Sequence, residues 1–332
     1  MTLTTLPIEA PTGSDDADEE RIQFVVKRSK GDHVFRLGAR LVGLITLALM
    51  GLIAVYLVQK SLPALRAAGW KFLTEQRWDP RSGHFGIASV LVGTVMIAVV
   101  ALAIAVPLAI GASLFITDYA PRPLRRPLTL LVDLLAAVPS LIYGMWGRYY
   151  LQQPLIGLER WLANNMGWFP LFHVPRQGFT ASTFIAGVVV SLMCLPICTA
   201  VVREVFSQAP PGEKEGALAL GGTRWGMIRT VTIPYGKGGI VGGSMLALGR
   251  ALGETIAVAL IISPRFIPTA HILQSGGISF ASLIVLRFGE ANSFELSALM
   301  AAGLALFVIT LTVNAIASVI VSRSRSGQGT EI

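Results

Sequence analysis

Charge is scarce in this chain. Acidic and basic residues together fill 14% of 332 positions while 53% are hydrophobic, too apolar a balance for a soluble domain of this length. Cysteine is scarcer still. Cys194 and Cys198 lie four apart beside Pro196, too few ligands for a metal site and poorly placed for a disulfide across one helical turn, so both read as small apolar packing residues. No Gly-x-x-x-x-Gly-Lys-Ser/Thr run occurs, which leaves the chain without the phosphate cradle of an ATPase. The four histidines, His33, His84, His173 and His271, are too scattered for a helical metal motif, and no nucleophile sequence stands out, which argues against a membrane enzyme. Strand-length alternation of apolar and polar residues is absent too, which argues against a membrane barrel.

What the chain does have is long apolar runs, and a mean hydropathy of +0.64 follows from them. Six windows reach the roughly 20 apolar residues that a membrane-crossing helix needs: 38–58, 87–116, 128–150, 181–202, 238–262 and 296–321. The expected fold is therefore all-α, a polytopic membrane protein with six transmembrane helices.

The net charge of +8 raises nucleic acid as a partner, but the basic residues are dispersed at helix ends and form no stripe, so lipid is the better reading. Arg122, Arg125 and Arg126 crowd the second connection, Lys214, Arg224, Arg229 and Lys237 the fourth, and Arg323 and Arg325 follow the last window. By the positive-inside tendency these segments are cytoplasmic, which puts both termini inside. The first external loop carries a comparable number of basic residues, so the later loops decide the orientation.

The expected division is a flexible cytoplasmic tail over 1–36, a transmembrane body over 37–322 and a short cytoplasmic tail over 323–332. The acidic run before Lys27 lacks the pattern of a secretory signal, and the first apolar window is expected to stay as an anchor. Outside the membrane, 60–86 reads as a connection with interfacial aromatics Trp70, Phe72 and Trp78, 151–180 as a helix at headgroup level, and 263–295 as partly inserted turns. Gly236, Gly238, Gly239, Gly242 and Gly243 miss the dinucleotide fingerprint and read as close helix packing.

Chemistry concentrates in two places. The first is the long polar loop 203–237. Pro210-Pro211 with Glu213 and Glu215 starts a short helix, Gly221-Gly222 stops it, and Thr223 caps a second helix expected to end before Pro234. The second is Gly249-Arg250-Ala251-Leu252-Gly253-Glu254-Thr255, with two charges near mid-span that cost about 2.5 kcal/mol or more each if they face lipid. Spaced i, i+4, Arg250 and Glu254 are expected to share a helix face and pair. An ion pair that only fixes helix register is one reading. The other is an anion path, in which the planar Arg250 fork meets a tetrahedral oxyanion and Glu254 holds the arginine between transport events. Pro139, next to Ser140 in the third window, is a possible helix kink.

The loop run Glu215-Gly216-Ala217, then Gly221 and Val231-Thr232-Ile233-Pro234, resembles the cytoplasmic coupling loop of ABC-importer permeases, with Gly216, Val231 and Ile233 as small or apolar departures. Gly249-Arg250-Ala251-Leu252-Gly253-Glu254-Thr255 and Pro139-Ser140-Leu141-Ile142-Tyr143-Gly144-Met145-Trp146-Gly147 resemble the phosphate-transport permeases among them, and so does Phe288-Gly289-Glu290-Ala291, although Arg287 before it departs from that pattern. The resemblance implies the type I ABC-importer permease architecture, inorganic phosphate as the translocated species and alternating access across the cytoplasmic membrane. It also implies a heterodimer with a second, homologous permease subunit, two ATP-binding subunits that carry ATP and Mg, and an extracytoplasmic phosphate-binding protein. No cofactor, metal or catalytic residue is expected on this chain, and no nucleic acid. ATPase coupling falls to Glu215, Gly216, Ala217, Gly221 and Pro234, and the substrate pathway to Arg250 and Glu254. A permease for sulfate, molybdate or phosphonate, or a scaffold that reports phosphate supply, are the alternatives the sequence leaves open.

Overall fold

The computed structural model describes residues 30–174, 178–267 and 270–324, without the side chains of 30, 32, 33 and 321–324. Most of the two expected tails, together with Pro268 and Arg325, lies outside the described residues. The chain divides into two compact units, Met1–Gly51 and Leu52–Ile332. The first unit contributes the opening part of helix α1 (Lys30–Ala68), which begins six residues before the expected end of the tail.

The second unit continues from α1 into α2 (Lys71–Thr74) and a small hairpin, β1 (Trp78–Asp79) antiparallel to β2 (His84–Phe85), with Trp78 opposite Phe85. Then come α3 (Ala88–Leu114), α4 (Arg122–Ala137), α5 (Ser140–Trp146), α6 (Gln152–Met166) and α7 (Thr183–Ser207). Two short helices follow, α8 (Pro211–Ala219) and α9 (Arg224–Met227), before α10 (Ile233–Gly253), α11 (Ile256–Ile261), α12 (Phe280–Phe288) and α13 (Ser293–Ser324).

Among the described residues four helices are long and apolar enough to cross a membrane: Val34–Ala68, Ala88–Tyr119, Thr183–Ser207 and Ser293–Ile320. A fifth crossing arises if the bent pair α4 and α5–α6 counts as one. The windows 128–150 and 238–262 are therefore not single helices. The first breaks at Val138-Pro139 and the second at Glu254-Thr255. A hydropathy window averages across a break of two residues, so the apolar signal survives where the helix does not. Pro107 and Pro196, by contrast, sit inside uninterrupted helices.

The core is built on α7, flanked by α3 and α10. Ala98, Ala101, Ala105 and Ala109 recur at three- and four-residue steps on α3, one helical face, and all are at most 2% exposed. On α10 the glycines Gly236, Gly239 and Gly243 bring its backbone against Phe206, Val205 and Cys198 of α7. In lipid, apolar burial does not by itself drive helices together, so this backbone approach and the dispersion contacts it allows hold the pair. Cys194 fits the same seam and donates its thiol to the carbonyl of Ala247 at 3.3 Å. Both thiols are buried and unpaired, in keeping with their reading as packing residues.

The segment 60–86 is more than a connection. Phe72 and Phe85 are buried, and Phe85 makes edge contacts with Phe72, Trp78 and Phe294, so the hairpin is packed onto α13. Arg81 ties it there by a two-pronged contact to Glu295 at 2.9 and 3.4 Å. Of the aromatics read as interfacial, Trp70 is exposed and Phe72 is core. The helix expected at headgroup level is not separate either, because α6 continues α5 through a π turn over Gly147–Leu151. In 263–295 the backbone does pack inward. The carbonyl of Ile278 abuts Gly93, and the Phe280 amide donates to Thr94 Oγ1 at 3.0 Å.

Gly239→Leu should wedge α10 away from Val205, whose side chain already lies 2.6 Å from where a Cβ would stand. Overpacking of this kind costs about 1–3 kcal/mol. Thermal unfolding of the detergent-solubilised protein should show a lowered midpoint for this variant and an unchanged one for Gly242→Ala, where the added carbon meets nothing within 4 Å.

Candidate functional site: a cleft between two broken helices

Helix α4 stops because Val138 precedes a proline and Pro139 has no amide to donate. Both residues are extended, with ψ of 126° and 140°, and the chain re-enters helix at Ser140 with its axis turned by 89°. The hydroxyl of Tyr143 reaches back over the break and donates to the Leu135 carbonyl at 2.9 Å, a second and shorter bond to an acceptor that the Val138 amide meets only at 3.4 Å. Helix α10 stops at Gly253, where Glu254 turns extended with ψ of 128°. There the Thr255 hydroxyl donates to the Gly253 carbonyl at 3.0 Å, and Glu254 Oε1 accepts from the Ala257 amide at 3.4 Å.

The two breaks face one another. A Cβ on Gly144 of α5 would stand 2.8 Å from the Ala257 Cα of α11, so only glycine allows this approach. Between them opens a cleft of about 480 Å³ lined by Val138, Pro139, Ser140, Arg250, Glu254 and Thr255, among others. Irregular backbone is tolerated in a membrane protein where it is buried in protein or lines a cavity open to water, and here it lines this cleft. Arg250, Glu254, Pro139 and Ser140, named separately from sequence, thus meet in one place.

The pairing expected of the two charges is not formed. Among the described residues no ion pair within 4.0 Å joins Arg250 to Glu254, because α10 ends at Gly253 and Glu254 leaves the helical face that holds Arg250. Arg250 Nε is buried with no hydrogen-bond partner, and Glu254 is 8% exposed. The cleft therefore holds a cation with unused donor capacity and a carboxylate with no basic group within 4.0 Å among the described residues.

At the other end of α10 lies the polar elbow. Pro211 starts α8, Gly221 turns the chain with φ of +81°, a conformation glycine adopts without strain, and Thr223 Oγ1 caps α9 by accepting from the Gly226 amide at 3.1 Å. Glu215, Gly216 and Gly221 are exposed, and Ala217 is half-buried against the core. The second elbow helix does not end before Pro234. It runs through a π turn, Ile228–Thr232, into α10, and Pro234 occupies the first turn of that helix, where a missing amide costs least. Leu220 and Trp225 leave the elbow tip apolar and exposed, at 92% and 58%.

Residues 105–326 match the family described as the binding-protein-dependent transport system inner membrane component. The chain belongs to that family. It is 41% identical over 307 residues to the phosphate transport system permease protein PstC 2 of Mycobacterium tuberculosis, covering 90% of this chain and 94% of that protein. It is 38% identical over 303 residues to the phosphate transport system permease protein PstC of Haemophilus influenzae, covering 90% and 95%. A solved bacterial ABC transporter involved in the import of the acidic polysaccharide alginate shares the fold at TM-score 0.54 and 17% identity, over 88% of this chain and 99% of that one. The chain is thus a non-catalytic permease subunit of an ABC importer, a multi-pass inner-membrane protein whose family implies ATPase and binding-protein partners.

Two polar contacts of this permease have no signature in its sequence. Lys214, on α8, pairs with Asp118 at 2.9 Å and also reaches the Phe206 carbonyl, tying the elbow to the π turn Phe115–Tyr119 that continues α3. Glu159, on α6, is wholly buried and accepts from the hydroxyl of Ser182, the residue that caps α7. His173 and His271, distant in sequence, meet with ring centroids 5.5 Å apart, and no group of three or more metal-binding side chains forms among the described residues.

Asp118 is 5% and Lys214 18% exposed, so removing the ammonium strands a buried carboxylate. Lys214→Met should cost this permease about 2–3 kcal/mol of stability, read as a lowered unfolding midpoint in detergent, and the double variant with Asp118→Leu should recover part of the loss.

Proposed function

We propose that this chain is the phosphate-translocating permease subunit of an ATP-driven importer, working as a heterodimer with a second, homologous permease. Two ATP-binding subunits dock on the cytoplasmic side and an extracytoplasmic phosphate-binding protein delivers the substrate. The observation that carries the reading is the cleft at the two helix breaks, where Arg250 keeps a buried donor without a partner. A planar guanidinium with donors to spare is suited to a tetrahedral oxyanion. The relatives, phosphate transport system permease proteins, favour phosphate as that oxyanion.

In this reading the chain crosses the membrane six times, the third and fifth crossings being built from the broken helices, and both termini are cytoplasmic. Residues 1–36 and 323–332 are cytoplasmic tails around a transmembrane body over 37–322. The elbow residues Glu215, Gly216, Ala217 and Gly221, with Pro234 at the root of α10, receive the motion of the ATPase, and the exposed Leu220 and Trp225 supply apolar contact at its tip. Domain movement then opens the cleft alternately to either side.

The test is uptake of labelled phosphate into proteoliposomes holding the assembled complex, with the binding protein outside and ATP inside. ATP-dependent phosphate uptake that sulfate and molybdate leave unchanged is the expected result, and accumulation of another oxyanion in its place would overturn the substrate assignment. Arg250→Gln should cut uptake about a hundredfold while the complex still assembles. Loss of the complex from the membrane would make Arg250 a structural residue instead. Glu215→Lys should leave the fold intact and lower both ATPase retention and uptake, and unchanged values for both would remove the elbow from the coupling path.

A further inference from the structure

The cleft contains a feature that a simple anion path does not need. Glu254 is buried there, with Oε1 at 3.4 Å from the Ala257 amide and no basic side chain within 4.0 Å among the described residues. Were its purpose to hold Arg250, the two would be paired, yet the end of α10 at Gly253 separates them. A carboxylate in that setting repels a second negative acceptor, and beyond the Ala257 amide it has capacity for a further proton donor.

Tetrahedral oxyanions differ in whether they bring such a donor. Sulfate and molybdate are fully deprotonated at neutral pH and present acceptors alone. Phosphate and arsenate keep at least one O–H. We propose that Glu254 is the specificity-determining residue of the cleft, accepting a hydrogen bond from the remaining O–H of a protonated oxyanion while Arg250 donates to its other oxygens. Sulfate then meets an acceptor with an acceptor, two negative groups that cannot share a proton, whereas phosphate satisfies both side chains at once. The inference rests on the cleft being the anion path, and it narrows the substrate class to oxyanions that still carry a proton.

The binding protein has a selectivity of its own, so the test omits it. Ile256 lines the cleft and is 42% exposed, while the native thiols of Cys194 and Cys198 are 0% exposed and should contribute little background. The assembled complex carrying Ile256→Cys is labelled with a neutral maleimide in the presence of phosphate, arsenate, sulfate or molybdate. Phosphate and arsenate are expected to slow labelling, with sulfate and molybdate at least about tenfold less effective. Adding Glu254→Gln, whose amide can donate as well as accept, should bring sulfate to within about twofold of phosphate. Sulfate protecting as well as phosphate before Glu254 is changed would overturn the role of Glu254 and leave the anion path standing, as would a phosphate-to-sulfate ratio that Glu254→Gln does not move. Protection by none of the four anions would overturn the anion path itself, and the selectivity with it. Should the Glu254→Gln complex fail to assemble, arsenate against molybdate on the Ile256→Cys complex still decides, equal protection by the two counting against the proposal.

Discussion

Backbone satisfaction inside a bilayer is the constraint on which this molecule depends. Each helix end at membrane depth exposes amides and carbonyls that lipid cannot satisfy, at a cost of several kcal/mol per group. The chain nevertheless breaks two of its apolar stretches, at Val138-Pro139 and at Glu254-Thr255, and sets the breaks against each other. Tyr143, Thr255 and Glu254 supply some of the missing partners, and Gly144 lets α5 and α11 approach until the two irregular segments share one cleft. A membrane protein that only needed to be stable would have kept both helices whole. The breaks line a cleft that carries polar groups, and in the proposed reading that is what makes them a place where an anion can leave water.

The rest of the packing follows from holding those breaks in place. The seam of α3, α7 and α10 is made of alanine, glycine and cysteine, so the helix backbones lie close and resist sliding. Glycine at 147 serves the same end where α5 passes into its π turn, since a Cβ there would meet Val189 of α7 at 2.6 Å. The glycines in the Tyr-Gly-x-Trp-Gly run are therefore explained by contact with α11 and α7, without any appeal to substrate.

Local features were legible in the sequence and distant ones were not. Pro211, Gly221 and Thr223 act within a few residues, so the elbow could be read with its start, turn and cap in place. Pro139 signalled a disturbance, but its size, an 89° turn, is fixed by what packs across it and not by the proline alone. The pairing of Arg250 with Glu254 failed as an expectation because an i, i+4 spacing means something only while the helix continues, and Gly249 and Gly253 were the warning that it does not. Pro234 misled in the opposite direction, since a proline at the first turn of a helix reads the same in sequence as one just beyond the last. The pair of Lys214 with Asp118 joins residues 96 apart and the contact of Glu159 with Ser182 residues 23 apart, and neither leaves a local pattern to find.

The geometry of α10 relates the two candidate functional regions physically. Its 21 residues extend about 30 Å, from the elbow at one end to the cleft at the other. A helix of that length packed through glycines against α7 transmits displacement along its axis better than it absorbs it. The elbow, however, has a second attachment, because Lys214 pins α8 to the π turn that continues α3 while α9 runs through another into α10. A push on α8 would therefore load α3 and α10 together, and these are the two helices that flank α7 in the core. Moving both in concert shifts the core as a body and carries the Gly253 break with it, whereas moving α10 alone would shear the glycine seam. Under the proposed coupling role, the ion pair at the base of the elbow, and not the elbow helix by itself, would decide whether motion of the motor reaches Arg250 and Glu254 as a change in the cleft or is lost in the packing between helices.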